Sequence, residues 1–366
     1  MTAATAAPRH PTDPKPIRLR DQGDVIAALP HLLGFHPKDS LVVLYYDDGE
    51  NPRIKCVLRA QLPPQEAEEQ FISALCDNVT SQEAPAVQLC LVGGRKTPTG
   101  EDGKVVPLLD RPPRRRLVLA FARALERRGV RVLESLWASH TRYQGTWQEY
   151  VNPDRRGTVP NPDHTLLAVA TVANGGVTYA SREDLAKSLE CADEKALARR
   201  NKSLDFLNEN PHVFPIQTPA ARIRALRAEV KNIDDGSFRV TDELVVRLAY
   251  LLCDYRVRDV ALAMSMRGAS VAYEQLWLEL TKGTPAPERA EPACLLAFSA
   301  YRRGDGVLAN LAVDIALKAQ PSHTLANLLA RAIAVGLPPG DVVAAVNRSY
   351  NGAPDFLVPQ VQPQRD

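Results

Sequence analysis

Three short clusters hold side chains able to bind or transform a ligand. The first is H-P-K-D-S (36–40), where His36, Asp39 and Ser40 are the residue types of a hydrolytic relay. Such a relay draws its members from separate elements, so three within five residues do not form one. The same residues suit a turn, with Pro37 fixing the backbone and Asp39 and Ser40 bonding nearby N–H groups, or a ligand-binding loop. The second cluster is Gly93-Gly94-Arg95-Lys96. Paired glycines let backbone approach a phosphate and two cations supply charge, although the spacing is neither G-x-G-x-x-G nor a Walker motif. The third is Ser139-His140-Thr141-Arg142, offering an imidazole and a guanidinium. Taken together, His36, Asp39, Ser40, Gly93, Gly94, Arg95, Lys96, His140 and Arg142 make a mixed polar set suited to an anionic small molecule. No residue is assigned as catalytic or as a metal ligand, and the cofactor stays open.

A fourth feature is electrostatic. Residues 111–131 hold eight arginines against the single acid Glu126. On a helix, Leu117, Val118, Phe121 and Leu125 form an apolar face, while Arg116, Arg123 and Arg127 align opposite. Such a stripe is a solvated face or a track for nucleic-acid phosphates, and no aromatics interleave it for base stacking. Trp137, Tyr143, Trp147 and Tyr150 read as core and hairpin packing, and His323 as a helix cap.

The elements that must position these clusters follow from periodicity. Residues 25–33 carry apolar side chains at helical spacing before Gly34, a left-handed cap. The runs 41–46 and 54–62, joined by D-D-G-E-N-P, predict an antiparallel hairpin. Residues 64–79 and 114–128 are helical, and 86–92 and 130–138 are strands. This alternation predicts an α/β fold whose mainly parallel sheet carries one antiparallel hairpin. If the second, third and fourth strands run parallel, their C-terminal ends and the start of the first strand share one edge, where the three polar clusters meet. Beyond residue 147 the chain becomes irregular, and 152–164 reads as a loop. Residues 166–173 are helix or strand, and a long helix is expected over 181–200, capped by Ser181 with Asp184 in the capping-box position. From 219 onward nearly everything is amphipathic helix. The hairpin 290–321 places Leu296, Gly304, Ala309, Ala316 and Pro321 where a 34-residue tetratricopeptide-like pattern wants them, with Ala293 and Ala300 in place of its large aromatics. The expected organisation is a disordered tail 1–18, an α/β sheet domain 19–180, a helical connector 181–218, an all-helical repeat-like domain 219–351 and a disordered tail 352–366.

Composition narrows the setting. The 45 basic and 43 acidic residues among 366 nearly cancel, so any nucleic-acid or anionic-membrane surface must be local. Six scattered cysteines without C-x-x-C spacing read as small buried hydrophobes in a reducing compartment. No uncharged apolar run reaches the roughly 18 residues of a membrane span, and the expected location is the cytoplasm, without membrane association.

L-P-H-L-L-G-F-H-P-K-D-S-L-V-V-L-Y-Y (29–46), V-R-D-V-A-L (257–262) and the segment 297–339 together resemble an actinobacterial family known as DUF4192, a domain of unknown function, over residues 18–340. Members often carry a cysteine cluster after the segment corresponding to 145–150, whereas this chain has no cysteine between Cys90 and Cys191. The resemblance implies an actinobacterial cytoplasmic setting and no reaction. The leading expectation is therefore a non-catalytic interaction or regulatory protein that docks a protein partner in a concave groove of its helical half. The alternatives are an α/β enzyme or sensor binding an anionic small molecule at the strand-end loops, and nucleic-acid binding through Arg116, Arg123 and Arg127.

Overall fold

The computed structural model describes residues 19, 21–47, 52–82, 84–94, 112–173, 176–191, 193–216, 218–266 and 270–350. Both expected tails, and Arg95 and Lys96, lie outside them. The chain opens with α1 (Gln22–Leu33), whose first turn is capped by the Asp21 carboxylate accepting from the Asp24 N–H and whose end is turned by Gly34 at φ 76°. β1 (Ser40–Tyr46) and β2 (Ile54–Gln61) follow as the expected hairpin, then α2 (Glu68–Ser81), β3 (Ala86–Val92), α3 (Arg115–Arg127) and β4 (Arg131–Ala138).

Where the sequence suggests an irregular stretch, the structure has two more strands. β5 (Thr146–Glu149) pairs antiparallel with β4, and β6 (Arg156–Thr158) pairs with β5. Both are short and polar, so neither carries the apolar alternation by which a strand is recognised. The sheet has the order β2-β1-β3-β4-β5-β6 and is mixed, not mainly parallel as strand-helix alternation implies, because β1 inserts between β2 and β3 and the two added strands pair antiparallel, so that of its five pairings only β3–β4 is parallel. β1 lies between β2 and β3, antiparallel to both, which leaves β3 and β4 as the parallel neighbours. β2, β3 and β4 nevertheless run in one direction. Ser40 pairs with both Gln61 and Val92, and Val92 pairs with Ala138, so the start of β1 and the ends of β2, β3 and β4 line one edge.

β1 is buried from Ser40 to Tyr45 and β3 along its whole length because both sheet faces are covered, which is why they read as continuous apolar runs. Leu41, Val43, Tyr45, Leu89 and Leu91 pack with Val118, Phe121 and Leu125 of α3 and Cys76 and Val79 of α2. Val42, Leu44, Cys90, Val92, Leu136 and Ala138 face the other way, into a core that runs through α1 and on into the helical half.

The remaining chain is helical: α4 (Leu166–Ala173), α5 (Arg182–Ser188), α6 (Glu194–Glu209), α7 (Pro219–Asp234), α8 (Asp242–Leu252), α9 (Tyr255–Met264), α10 (Ser270–Gly283), α11 (Ala290–Arg302), α12 (Gly306–Ala319), α13 (Thr324–Ala334) and α14 (Pro339–Tyr350). The single helix expected over 181–200 is two. The first ends at Ser188, and the Asp193 carboxylate, accepting from the Ala196 N–H at 2.9 Å, caps the start of α6. Segment 166–173 resolves as helix. α11 and α12 form a helical hairpin over the expected residues, reversed at Gly304 with φ 88°. α11 is buried from Pro292 to Tyr301, packed by α12, α10, α13, α14, α9 and α8, so the hairpin's inner side is occupied by the chain itself.

Candidate functional site: a cationic cleft at the strand ends

The sheet edge opens into a cleft of about 800 Å³. Its construction starts with Asp39, a non-glycine residue held at φ 43°. From there its carbonyl accepts the Leu62 N–H at 2.9 Å, tying the end of β2 to the start of β1, and its carboxylate accepts the Gly94 N–H at 2.7 Å, tying in the end of β3. Gly93 and Gly94 both sit at positive φ, 78° and 74°. At Gly93 the closeness is extreme, since a Cβ would stand 2.7 Å from Asp39 Oδ1. The Gly93 N–H in turn donates to Ala138 O at 2.9 Å, and the Trp137 indole N–H donates to Gly93 O at 2.9 Å. Asp39 and the two glycines thus stitch the ends of β2, β3 and β4 to the start of β1 beneath the cleft.

His36 reaches across this edge, its Nδ1 2.9 Å from the Thr141 hydroxyl, and joins the first polar cluster to the third. Burial, followed by the nearby Arg142 charge, lowers the His36 pKa, with the His31 and His140 charges adding to that and Asp163 opposing it. Ser40 is fully buried; its hydroxyl donates to Lys38 O at 2.6 Å and accepts from Arg59 Nε at 2.8 Å. His36, Asp39 and Ser40 therefore take three separate sets of partners. His140 and Arg142 are exposed on the cleft rim.

Two further cations meet these residues without any motif to announce them. Arg59, in the middle of β2, donates through its guanidinium to Gln61 Oε1 and lies 5.9 Å from the Phe35 ring centre. Arg182 arrives on the first turn of α5, because the chain at 179 runs alongside the 34–36 loop. The Tyr179 N–H donates to Gly34 O at 2.8 Å and the His36 N–H to Tyr179 O at 3.1 Å, a two-residue bridge that carries the following Ser181–Arg182 step to the rim. A lone Arg within the half-buried run I-K-C-V-L-R-A-Q was the available signal for the first. For the second there was none, since its place depends on a contact across more than a hundred residues. The cleft lining holds Lys38, Arg59, Arg142 and Arg182 against Asp39 and Glu183, and the Asp39 carboxylate is already engaged by backbone. A field of that sign concentrates anions.

The other sequence candidates lie elsewhere. Arg116, Arg123 and Arg127 are exposed along α3 as the periodicity predicts, while Arg114 and Arg128 of the same basic stretch pair with Glu68 and Asp77 of α2. Trp137 and Tyr150 are core, Trp147 is half-buried, and Tyr143 is exposed on the cleft-side loop rather than packed. Of the six cysteines expected to be buried, Cys76, Cys90 and Cys294 are, whereas Cys56 and Cys191 are half-buried and Cys253, just past the end of α8, is exposed. Among the described residues there is no cluster of metal-ligating side chains, and no helix is long and apolar enough to cross a membrane.

Compared with known families, residues 23–340 match the sequence model of a family described as a domain of unknown function, DUF4192. Neither the curated proteins nor the solved structures hold a match to the chain.

Proposed function

Since the chain belongs to the DUF4192 family, whose description carries no activity, we propose from geometry that it binds a small anionic molecule in the strand-end cleft, as a sensor or as an enzyme on that ligand. The observation that carries this reading is the excess of cations in one concavity, Lys38, Arg59, Arg142 and Arg182 from four separate segments against Asp39 and Glu183, with an Asp39 oxygen turned to the Gly94 N–H. Converging donors on rigid strand ends are the usual setting for ligand sites of open α/β sheets.

Calorimetric titration with sulfate and with inorganic phosphate tests it. Both anions are expected to bind at one site, and the double substitution Lys38→Ala and Arg142→Ala is expected to weaken both at least about tenfold, the effect of removing roughly 1.4 kcal/mol of charge interaction. The two side chains are exposed, so the fold is expected to survive their loss. Absence of binding in the parent chain, or equal binding in the variant, would overturn the proposal.

Partner binding by the helical half stands second. It needs an open concave face, and the burial of α11 supports a packed helical body instead. Pull-down with the full chain, compared with a chain carrying surface substitutions on α12 and α13, would raise it if a partner were lost.

A further inference from the structure

A second cavity, of about 290 Å³, lies beside the cleft, between β2 and the turn of the α11–α12 hairpin. Arg59 and Arg182 line both. The first is fixed in place by Ser40, Gln61 and the Phe35 ring. The second is half-buried and, among the described residues, has no hydrogen-bond or ion-pair partner. Burial, and next the charge of Arg182, lowers the Arg59 pKa, with Glu183 opposing, so the two guanidinium groups feel each other across the seam. Like charges partly withdrawn from water repel, and an anion lying between them relieves that repulsion.

The rest of the second cavity differs in chemistry from the cleft. Val57, Leu58, Val307 and Ile333 present apolar surface from β2, α12 and α13, with Asn78, Gln82, Asn310 and Asp314 as the polar part of the lining. A ligand made only of charge fills the cleft and leaves this surface unused. We propose that cleft and cavity form one elongated site for an amphiphilic anion, its phosphate-like or carboxylate-like head between Arg59 and Arg182 and its apolar group between β2 and α12. This inference rests on the anion-binding reading above and adds to it the class of ligand.

Gly306 makes the inference separable from that reading. It lines the second cavity at the first position of α12, its φ lies outside the left-handed region, and no atom stands within 4 Å of a Cβ built there. Gly306→Phe therefore fills the cavity without displacing the fold, which circular dichroism and the melting temperature verify. Inorganic phosphate, octyl phosphate and 1-naphthyl phosphate are titrated into the full chain by calorimetry. Both organic phosphates are expected to bind at least about tenfold more tightly than inorganic phosphate, the gain from burying some 55 Å² of apolar surface. Gly306→Phe is expected to remove that gain while leaving inorganic phosphate unchanged, and Arg182→Ala to weaken all three. A larger gain for the octyl or for the naphthyl ester distinguishes an acyl-bearing from an aryl-bearing ligand, and either supports the proposal. If inorganic phosphate binds but the organic phosphates gain nothing, or their gain survives Gly306→Phe, the elongated site is overturned and the anion cleft stands. If none of the three binds, both readings fall.

Discussion

At the scale of single residues, the cleft depends on a contact that leaves no room for a methyl group. Gly93 combines positive φ with an approach to Asp39 that a Cβ would block, so Gly93→Ala is expected to cost about 1–3 kcal/mol in chemical denaturation. The same substitution is expected to abolish sulfate binding, because the strand ends it joins carry the donors. His36 gives the site a pH response with a definite sign. Its folded pKa lies below its usual value, through burial and the Arg142 charge. The unfolded chain therefore takes up a proton first, and stability falls as pH drops through about 6.5 toward the folded value, below which it levels. A bound anion favours the imidazolium and reverses the bias. Sulfate, which does not titrate in this range, is expected to bind more tightly as pH falls through the same window, with proton uptake detectable in buffers of different ionisation enthalpy. His36→Asn is expected to flatten both responses. A slope that persists in that variant would show that His36 does not carry the response.

Among the elements, α13 is anchored by an unusual cap. His323, 3% exposed, accepts the Ala326 N–H at Nδ1 (3.1 Å), and its Nε2 lies 3.2 Å from Glu291 Oε1 on α11 without hydrogen-bond alignment. His323→Ala removes the cap and leaves that carboxylate facing a void, with an expected loss of about 1–2 kcal/mol by denaturation. His323→Asn keeps a capping oxygen and is expected to lose less than half as much. The cap was legible from P-S-H-T; the carboxylate behind it was not, since only the packed hairpin brings Glu291 there. The same division runs through the sheet. β1 to β4 could be read from their apolar runs, and the shared edge from their directions, because backbone chirality and burial leave few alternatives. β5 and β6 could not, because T-W-Q-E and R-G-T join the sheet by backbone pairing to β4 and not by an apolar pattern of their own. Of the cleft, the clusters around His36, Gly93 and His140 were visible as turn chemistry, whereas Arg59 and Arg182 become neighbours only through the bridge at Tyr179.

Over the whole molecule, the sheet and the helical half share apolar surface. Val42, Cys90 and Leu136 belong to the same buried cluster as Leu248, Leu276 and Leu296. Coupling through one core predicts coincident unfolding despite the composition change along the chain. Trp137 and Trp147 report on the sheet and Trp277 on the helices. In a Trp277→Phe variant, which leaves the sheet reporters, and in a Trp137→Phe, Trp147→Phe variant, which leaves the helical one, the urea midpoint by fluorescence is expected to equal that by far-UV circular dichroism of the same variant, and midpoints separated by more than the fitting error within one variant would mean independent halves. The docking is polar as well as apolar: the Ser81 hydroxyl at the end of α2 donates to Gly336 O at 2.9 Å, and the Gln82 amide reaches the same carbonyl. The hairpin turn at Gly304 approaches β2 so closely that a Cβ there would lie 3.6 Å from that of Cys56 and 3.7 Å from Lys55 O. β2 is the outermost strand on that side, and its free backbone row is a template on which another chain can pair. The far edge is guarded by brevity, β6 being three residues with Arg156 at its start. The long edge is guarded by the hairpin instead. Glycines inserted at the Gly304 turn of the full chain, which loosen its hold on β2 and leave the core residues of α11 and α12 unchanged, are expected to raise light scattering on refolding, so a helical turn serves as the edge strand's cover against pairing with another chain.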